Sequence, residues 1–350
     1  MFWRVGCRGI STKPAPEPTD VPETPWGDQV VAVLNDWQLS GSQDLILSPD
    51  VDGLTTACLL ASRFPCRIAG IYTGQHLLLT GDVTLDEARD ALRLDHDVSG
   101  PGVRCIGQHL VHHRATDQLP RRDPRSWNPN TWQRQSWDKS FAGIKGKKQD
   151  KYPYATAHFV AHALGNLETT DSDMLALLAH ADGAWFALHI YRANGEIWHN
   201  KMFPGSRTIE VMRNWAEAHE HHKSHQEIVA KLRVNGIKTQ VSRSPRATLL
   251  SDELRSLTGN QSVKGRPTAN QEQYLENLQS ALTVVAGVVG SSPMLESTPG
   301  LFRSGERESH YPNRIESEYG SFDEMMLKEQ IFSHAFTDQR TLQYTKYFGV

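Results

Sequence analysis

Apolar positions along the first half of the chain fall into short blocks that alternate between strand and helix spacing. Residues 44–48, Asp-Leu-Ile-Leu-Ser, predict a buried strand, and the loop Pro49-Asp50-Val51-Asp52-Gly53 follows at once. Residues 54–63 predict a helix packed through Leu54, Ala57, Leu60 and Ala61, and residues 67–74 a second strand. Thr84 with Glu87 three residues on is a capping-box pattern that starts a short helix. Residues 91–95 predict a third strand, and 103–113 contain a fourth. Ahead of them, Val30, Val31, Val33, Leu34 and Trp37 give 28–38 the spacing of a short helix. Strands separated by helices argue for a parallel sheet with right-handed crossovers, so this half predicts an α/β fold.

The pattern breaks at 114–151, a stretch poor in aliphatics that holds three Trp and many Lys and Arg. A structureless stretch of that length predicts a functional loop or insertion. Helical spacing returns over 155–167 and 173–180, and a long helix is expected over about 208–234, stopped by Gly236. Residues 241–270 look irregular. A helix over 270–282 leads into the apolar run Thr-Val-Val-Ala-Gly-Val-Val-Gly, expected as a strand. Residues 291–320, with Pro293, Pro299 and Pro312, look loop-like, and a final helix is expected over about 322–336. The expected division is a disordered or targeting tail 1–26, an α/β domain 27–200 carrying the insertion, a connecting helix 201–240, and a smaller α+β domain 241–350.

Composition narrows the classes. With 350 residues, 38% hydrophobic and 22% charged, the chain can bury a substantial core. The net charge of −3 excludes bulk attraction to nucleic acid. Four cysteines, at 7, 58, 66 and 105, form no Cys-x-x-Cys pair and fit reduced thiols. No apolar run approaches the ~20 residues of a membrane span. The expected compartment is therefore the cytoplasm. The matrix of mitochondria is the alternative, because Arg4, Arg8 and Lys13 precede the first acid, Glu17, as in a presequence.

The candidate chemistry lies at predicted strand ends. Asp50 and Asp52 sit between a strand and a helix, where ligands of open α/β sheets bind. Two carboxylates so spaced can face one hard cation, and Gly53 permits a tight turn. Pro, Asp and Gly are also ordinary turn residues. Asp95 and Asp97 end another strand with His96 between them, His109 follows a third, and Asp182 ends an apolar helix beside His180. Carboxylates with imidazoles suit Mn²⁺ or Mg²⁺ better than a thiolate zinc site. Two such ions would clamp a phosphoryl group and activate water.

In this order — Ser-Pro-Asp-Val-Asp-Gly before a helix, then an acid at a later strand end, then a His-bearing strand end — the chain resembles the DHH phosphoesterase family over roughly residues 40–190. That family includes RecJ-type single-strand exonucleases, oligoribonucleases, cyclic-dinucleotide phosphodiesterases and an inorganic pyrophosphatase. The resemblance implies a parallel-sheet DHH-like N-terminal domain holding one or two Mn²⁺ (or Mg²⁺) ions. It places Asp50 and Asp52 in the first motif, Asp95 or Asp97 in the second and Asp182 in the fourth. The third motif departs: Gly107-Gln108-His109 stands where the family has Asp-His-His, so His109 remains unless His112 and His113 take over. The family's Gly-rich C-terminal signature is not evident, and residues 286–292 are a faint echo. The implied ligands are Asp50, Asp52, Asp95, Asp97, His109 and Asp182, with His112, His113 or Arg114 steadying the phosphate.

From Arg104 to Lys151 there are eleven Lys or Arg against four Asp, a local excess of +7. Trp127, Trp132 and Trp137 are interleaved with Arg121, Arg122, Arg125, Arg134 and Lys139. Aromatic faces beside cations are what single-stranded nucleic acid needs, each stacked base contributing ~1–3 kcal/mol. Packed Trp with solvated charges, or an acidic protein partner, fits the same residues. His158 with His162, and His221 with His225, are spaced i, i+4 and read first as core or polar-face residues. The leading expectation is a Mn²⁺-dependent phosphodiesterase acting on single-stranded nucleic acid or short oligonucleotides. The alternative is a catalytically inactive DHH-like subunit that binds nucleic acid or protein.

Overall fold

The computed structural model describes residues 43–100, 102–123, 125–142, 151–214, 222–239, 261–337 and 340–346. The tail 1–26, helix 28–38, Cys7, His219, His221 and residues 241–260 lie outside these, as do the side chains of His222 and His225.

The described chain begins with β1 (Gln43–Leu47), whose side chains alternate between two cores: Leu45 and Leu47 enter one, Ile46 the other. Asp50 caps α1 (Val51–Ala61), accepting the Gly53 N–H at 3.0 Å. A Cβ on Gly53 would collide with the Ser48 carbonyl and hydroxyl, so this residue lets the helix start tightly against the strand end. β2 (Cys66–Tyr72) and β3 (His76–Thr80) follow as an antiparallel pair. α2 (Leu85–Asp90) begins at the formed Thr84–Glu87 capping box and leads to β4 (Leu92–Leu94) and β5 (Cys105–Ile106). Next come α3 (Pro129–Trp132), α4 (Thr156–Ala163), α5 (Ser172–His180), α6 (Ala184–Ile190), α7 (Arg192–Met202), α8 (Arg207–Arg213) and α9 (His222–Val234). The rest is β6 (Ile237–Thr239), β7 (Gln261–Val263), α10 (Gln271–Val289), β8 (Met294–Leu295), β9 (Pro299–Ser304), β10 (Arg307–His310), α11 (Ile315–Tyr319), α12 (Phe322–Lys328), β11 (Ile331–Phe336) and β12 (Leu342–Lys346).

The fold is mixed α/β. Its large sheet has seven strands in the order β5-β4-β1-β2-β3-β9, with β8 paired to β2. β5, β4, β1 and β2 are mutually parallel, and β3 pairs antiparallel with both β2 and β9. α1 packs between α4 and α10 on one face of this sheet. A small antiparallel sheet, β10-β12-β11, is fastened to the strand ends by Phe336 N–H to Leu110 O (2.9 Å) and by Tyr72 Oη with Ser333 Oγ (2.6 Å). Among the described residues no helix is long and apolar enough to cross a membrane. Cys58, Cys66 and Cys105 are buried free thiols.

Several expected elements differ. The apolar run after residue 282 is helical, because α10 continues through it until Gly290 at φ 83°. Leu278, Ala281, Leu282 and Val285 lie on one helical face and enter the main core, so the 3.6-residue period outweighs β-propensity. The expected long helix 208–234 is interrupted, since Asn214 leaves helical geometry after α8. The final helix stops at Lys328, Gln330 turns left-handed at φ 49°, and residues 331–336 form β11. Within β11, Phe332 enters one core while Ile331 and Phe336 enter another. Residues expected as loop over 291–320 hold three strands, of which β8 and β9 return to the large sheet.

Candidate functional site

Parallel pairing sets Leu47 beside Leu94 and Leu94 beside Ile106, so the residues that follow all emerge at one edge. Ser48 Oγ lies 2.8 Å from Asp50 Oδ1 and 2.8 Å from Asp95 Oδ2. A hydroxyl carries one proton, so it donates to one carboxylate, and the other contact is satisfied only by a proton on the carboxyl itself. Thr156 Oγ1 donates to Asp95 Oδ1 at 2.9 Å. Asp52 is fully buried, and its two oxygens accept the N–H groups of Thr156 and Ala157, each at 2.8 Å.

Asp182 joins this group from the turn between α5 and α6. Its backbone is left-handed (φ 48°), as is that of Asp95 (φ 57°). Asp tolerates that region better than most side chains, yet it is sparsely populated, and such residues cluster at functional sites. Gln108 Nε2 donates to Asp182 Oδ2 at 2.7 Å. The charge of Asp182 acts on Asp50, Asp52 and Asp95. Burial, with Asp182 and Asp50 adding repulsion, pushes Asp52 up to about 7. Burial raises Asp50, eased by the Gly53 N–H and Ser48. Burial, then Asp52, Asp50 and Asp182, raise Asp95 well above the ordinary carboxylate range.

Asp97 behaves oppositely. Burial would raise it, but Arg122 at 2.9 Å, His109 and Asn128 Nδ2 at 2.7 Å hold it well below the ordinary range. Its Oδ2 accepts the His109 backbone N–H (3.0 Å) and the ring Nδ1–H (3.3 Å). Burial alone would lower His109, and the Asp97 carboxylate outweighs it, so the imidazole is raised. Asp97, expected as a metal ligand, is thus engaged by three hydrogen-bond donors and the Arg122 guanidinium, while His109 lines the cleft. A Cβ at Gly107 would collide with the Asp97 carboxylate, so only glycine fits beside it.

Among the described residues of the basic segment, two of the three Trp rings point inward. Trp127 is 2% exposed, edge-on to Trp132, and Trp137 is 7% exposed, stacked 5.1 Å from the ring of His113. Against the expected stacking surface, these two rings are core, and Trp132 is half-buried. Arg122 is spent on Asp97 and Arg125 on Asp123; Arg114 pairs with Glu316, and Arg134 donates to Ala115 O. Arg121 is half-buried and Lys139 exposed. His112 and His113 are buried beside this segment and line no part of the cleft, so neither is placed to steady a phosphate there. His158 is buried against Tyr154, and His162 is half-buried against Phe203.

Sequence reasoning missed the residues that brace the site. Asn128 Oδ1 caps α3 while its Nδ2 donates to Asp97 and to His109 O (2.8 Å). Asn130 Nδ2 donates to Gln108 O at 2.6 Å, and its Oδ1 accepts the Tyr152 N–H at 2.7 Å. The Asn-Pro-Asn spacing was the available signal, since Asn before Pro is a helix-start pattern. Thr156 carried none, because its partners are about 60 and 100 positions away.

A cleft of about 660 Å³ opens between these strand ends, residues 262–268 and the small sheet. Asp50, Asp95, His96, Asp97 and His109 line one wall, and Arg266, Arg307, Gln343 and Thr345 the other. Among the described residues no three His, Cys, Asp or Glu already form a ready metal cage. The donor chemistry nonetheless fits a hard cation. Asp50, Asp52, Asp95 and Asp182 share one field, and their donors — Ser48, Gly53 N–H, Thr156, Ala157 N–H and Gln108 — are uncharged. Like charges held so close favour a bound cation or a retained proton. Comparison with protein-family models, curated proteins and solved structures finds no match to this chain.

Proposed function

We propose that the chain is a divergent DHH-type phosphoesterase that uses Mn²⁺ or Mg²⁺ to hydrolyse phosphodiester bonds. The observation that carries this reading is the meeting of Asp50, Asp52 and Asp95 at the parallel strand ends, where Ser48 joins Asp50 to Asp95 and Thr156 joins Asp95 to Asp52, with the charge of Asp182 acting on all three. One or two ions bound there would supply the positive charge that activates water and offsets charge on phosphoryl oxygens. Asp50 and Asp95, on the cleft wall, would hold the metal with Asp52 and Asp182. His109, oriented by Asp97, can give a proton to the leaving oxygen through Nε2.

The substrate we infer is a short oligonucleotide or dinucleotide. A cleft of about 660 Å³ is within the ~300–1,000 Å³ usual for small-molecule sites. The buried Trp127 and Trp137 withdraw support from strand stacking on the basic segment.

The test is Mn²⁺-dependent hydrolysis of a dinucleotide panel by the wild type and by Asp182→Asn. Asp182 is exposed and its carboxylate accepts a hydrogen bond from Gln108, so this variant should keep its fold. Turnover that falls at least about 100-fold in Asp182→Asn supports the reading. A catalytically silent binding subunit is favoured by one observation, the Gln108 amide already seated on Asp182. Wild-type protein that neither hydrolyses the panel nor binds Mn²⁺ would favour that alternative.

A further inference from the structure

At the start of helix α4 the N-cap residue, Ala155, offers no side-chain acceptor, and its own N–H is accepted by His158 Nδ1 at 3.1 Å. The first two N–H groups of the helix go instead to Asp52, about 100 positions earlier in the chain. The first residue of the helix, Thr156, is fully buried and does not line the cleft. It nevertheless touches two of the four clustered acids: its N–H meets Asp52 Oδ2 at 2.8 Å and its hydroxyl meets Asp95 Oδ1 at 2.9 Å. The other oxygen of Asp95 lies on Ser48, and its backbone is held left-handed at φ 57°. One residue therefore spans the start of α1 and the end of β4, and fixes the separation and rotation of two carboxylates that strand pairing alone leaves free to turn.

We propose that Thr156 is a positioning residue for the acid cluster, aiming Asp95 with its hydroxyl while its backbone holds Asp52. This rests on the phosphoesterase reading above. Side chains that orient metal ligands from behind typically change metal affinity or activity by ~10–100-fold when lost. Valine matches threonine in shape but lacks the donor, so Thr156→Val leaves Asp95 Oδ1 without its bond and keeps the backbone contact to Asp52. Serine keeps the hydroxyl.

The experiment is calorimetric titration of Mn²⁺ alone into wild type, Thr156→Val and Thr156→Ser, with kcat and KM measured on the dinucleotide the wild type cleaves. We expect the valine variant to lose ~10–100-fold in Mn²⁺ affinity and in kcat with KM unmoved, and the serine variant to restore both. Thr156→Ala, which removes the same hydroxyl without adding a methyl group, takes the place of the valine variant should that fail to fold. Wild-type Mn²⁺ affinity in a folded Thr156→Val or Thr156→Ala protein overturns the proposal and leaves the function standing. Absence of Mn²⁺ binding in the wild type overturns both.

Discussion

Asp97 and His109 are joined twice: one carboxylate oxygen accepts both the backbone N–H and the ring Nδ1–H of His109, at 3.0 and 3.3 Å. The pair is set by the parallel exit of β4 and β5 and by the missing side chain at Gly107. Its consequence is an imidazole that keeps its proton more firmly than a free one. A raised folded-state value means the pair's contribution is present below the unfolded histidine value and is lost as pH rises through the folded one. Asp97→Asn should lower the His109 titration midpoint, followed by NMR of the ring. The same change leaves Arg122 without its charge partner and should cost ~3–5 kcal/mol in urea unfolding. An unmoved His109 midpoint would mean that Asp97 does not control it.

Asp52 serves a fold role that any functional mutant must respect. Asp52→Ala strips α4 of its cap, and the expected loss is ~1–2 kcal/mol. Hydrogen exchange at the Thr156 and Ala157 amides should speed up more than exchange elsewhere in α4. Uniform exchange across the helix would show that the cap is dispensable.

Mn²⁺ should raise the melting temperature more at pH 8 than at pH 5. Asp52 is raised to about 7 and Asp95 well above its ordinary range. Protons held by these carboxyls favour the fold below the unfolded value, and that advantage is lost as pH rises through the folded values. At pH 5 a cation must displace the proton held by Asp52, whereas at pH 8 it meets that carboxylate ionised. Scanning calorimetry with Mn²⁺ and with chelator at both pH values checks this. An equal shift at the two would sever the metal from these acids.

Trp127 should matter to stability. Trp127→Ala is expected to cost ~3–5 kcal/mol, because the ring is buried against Trp132 and Phe159. Lys139→Ala, at an exposed position, should stay within ~0.5 kcal/mol. Chemical unfolding of both variants decides it, and a mild effect of the Trp change would return that ring to the surface.

The local signals in the sequence were strong where the responsible atoms are neighbours. The apolar run of β1, the Asp50 cap of α1 and the Thr84–Glu87 capping box each depend on contacts within a few residues, and each forms. Spacing also put Asp50, Asp52, Asp95 and Asp97 at strand ends, and the structure sets Asp50 and Asp95 on the same serine, Ser48.

What only the tertiary structure decided is how each of these charges is partnered. Asp95 and Asp97 are two residues apart on one strand end, yet their neighbours differ. Asp97 meets Arg122 and Asn128, brought in when Trp127 pairs beside Ile106 at the sheet edge, and it stays ionised. Asp95 meets Ser48, Thr156 and other acids, and it resists ionisation. The same packing buried Trp127 and Trp137 and set Arg122 on Asp97. It also made β11 a strand and residues 282–289 a helix, because the side of the core available to each segment decided the period its apolar residues obey. Burial and the sign of the nearest charge are properties of long-range contacts, and no local pattern encodes them.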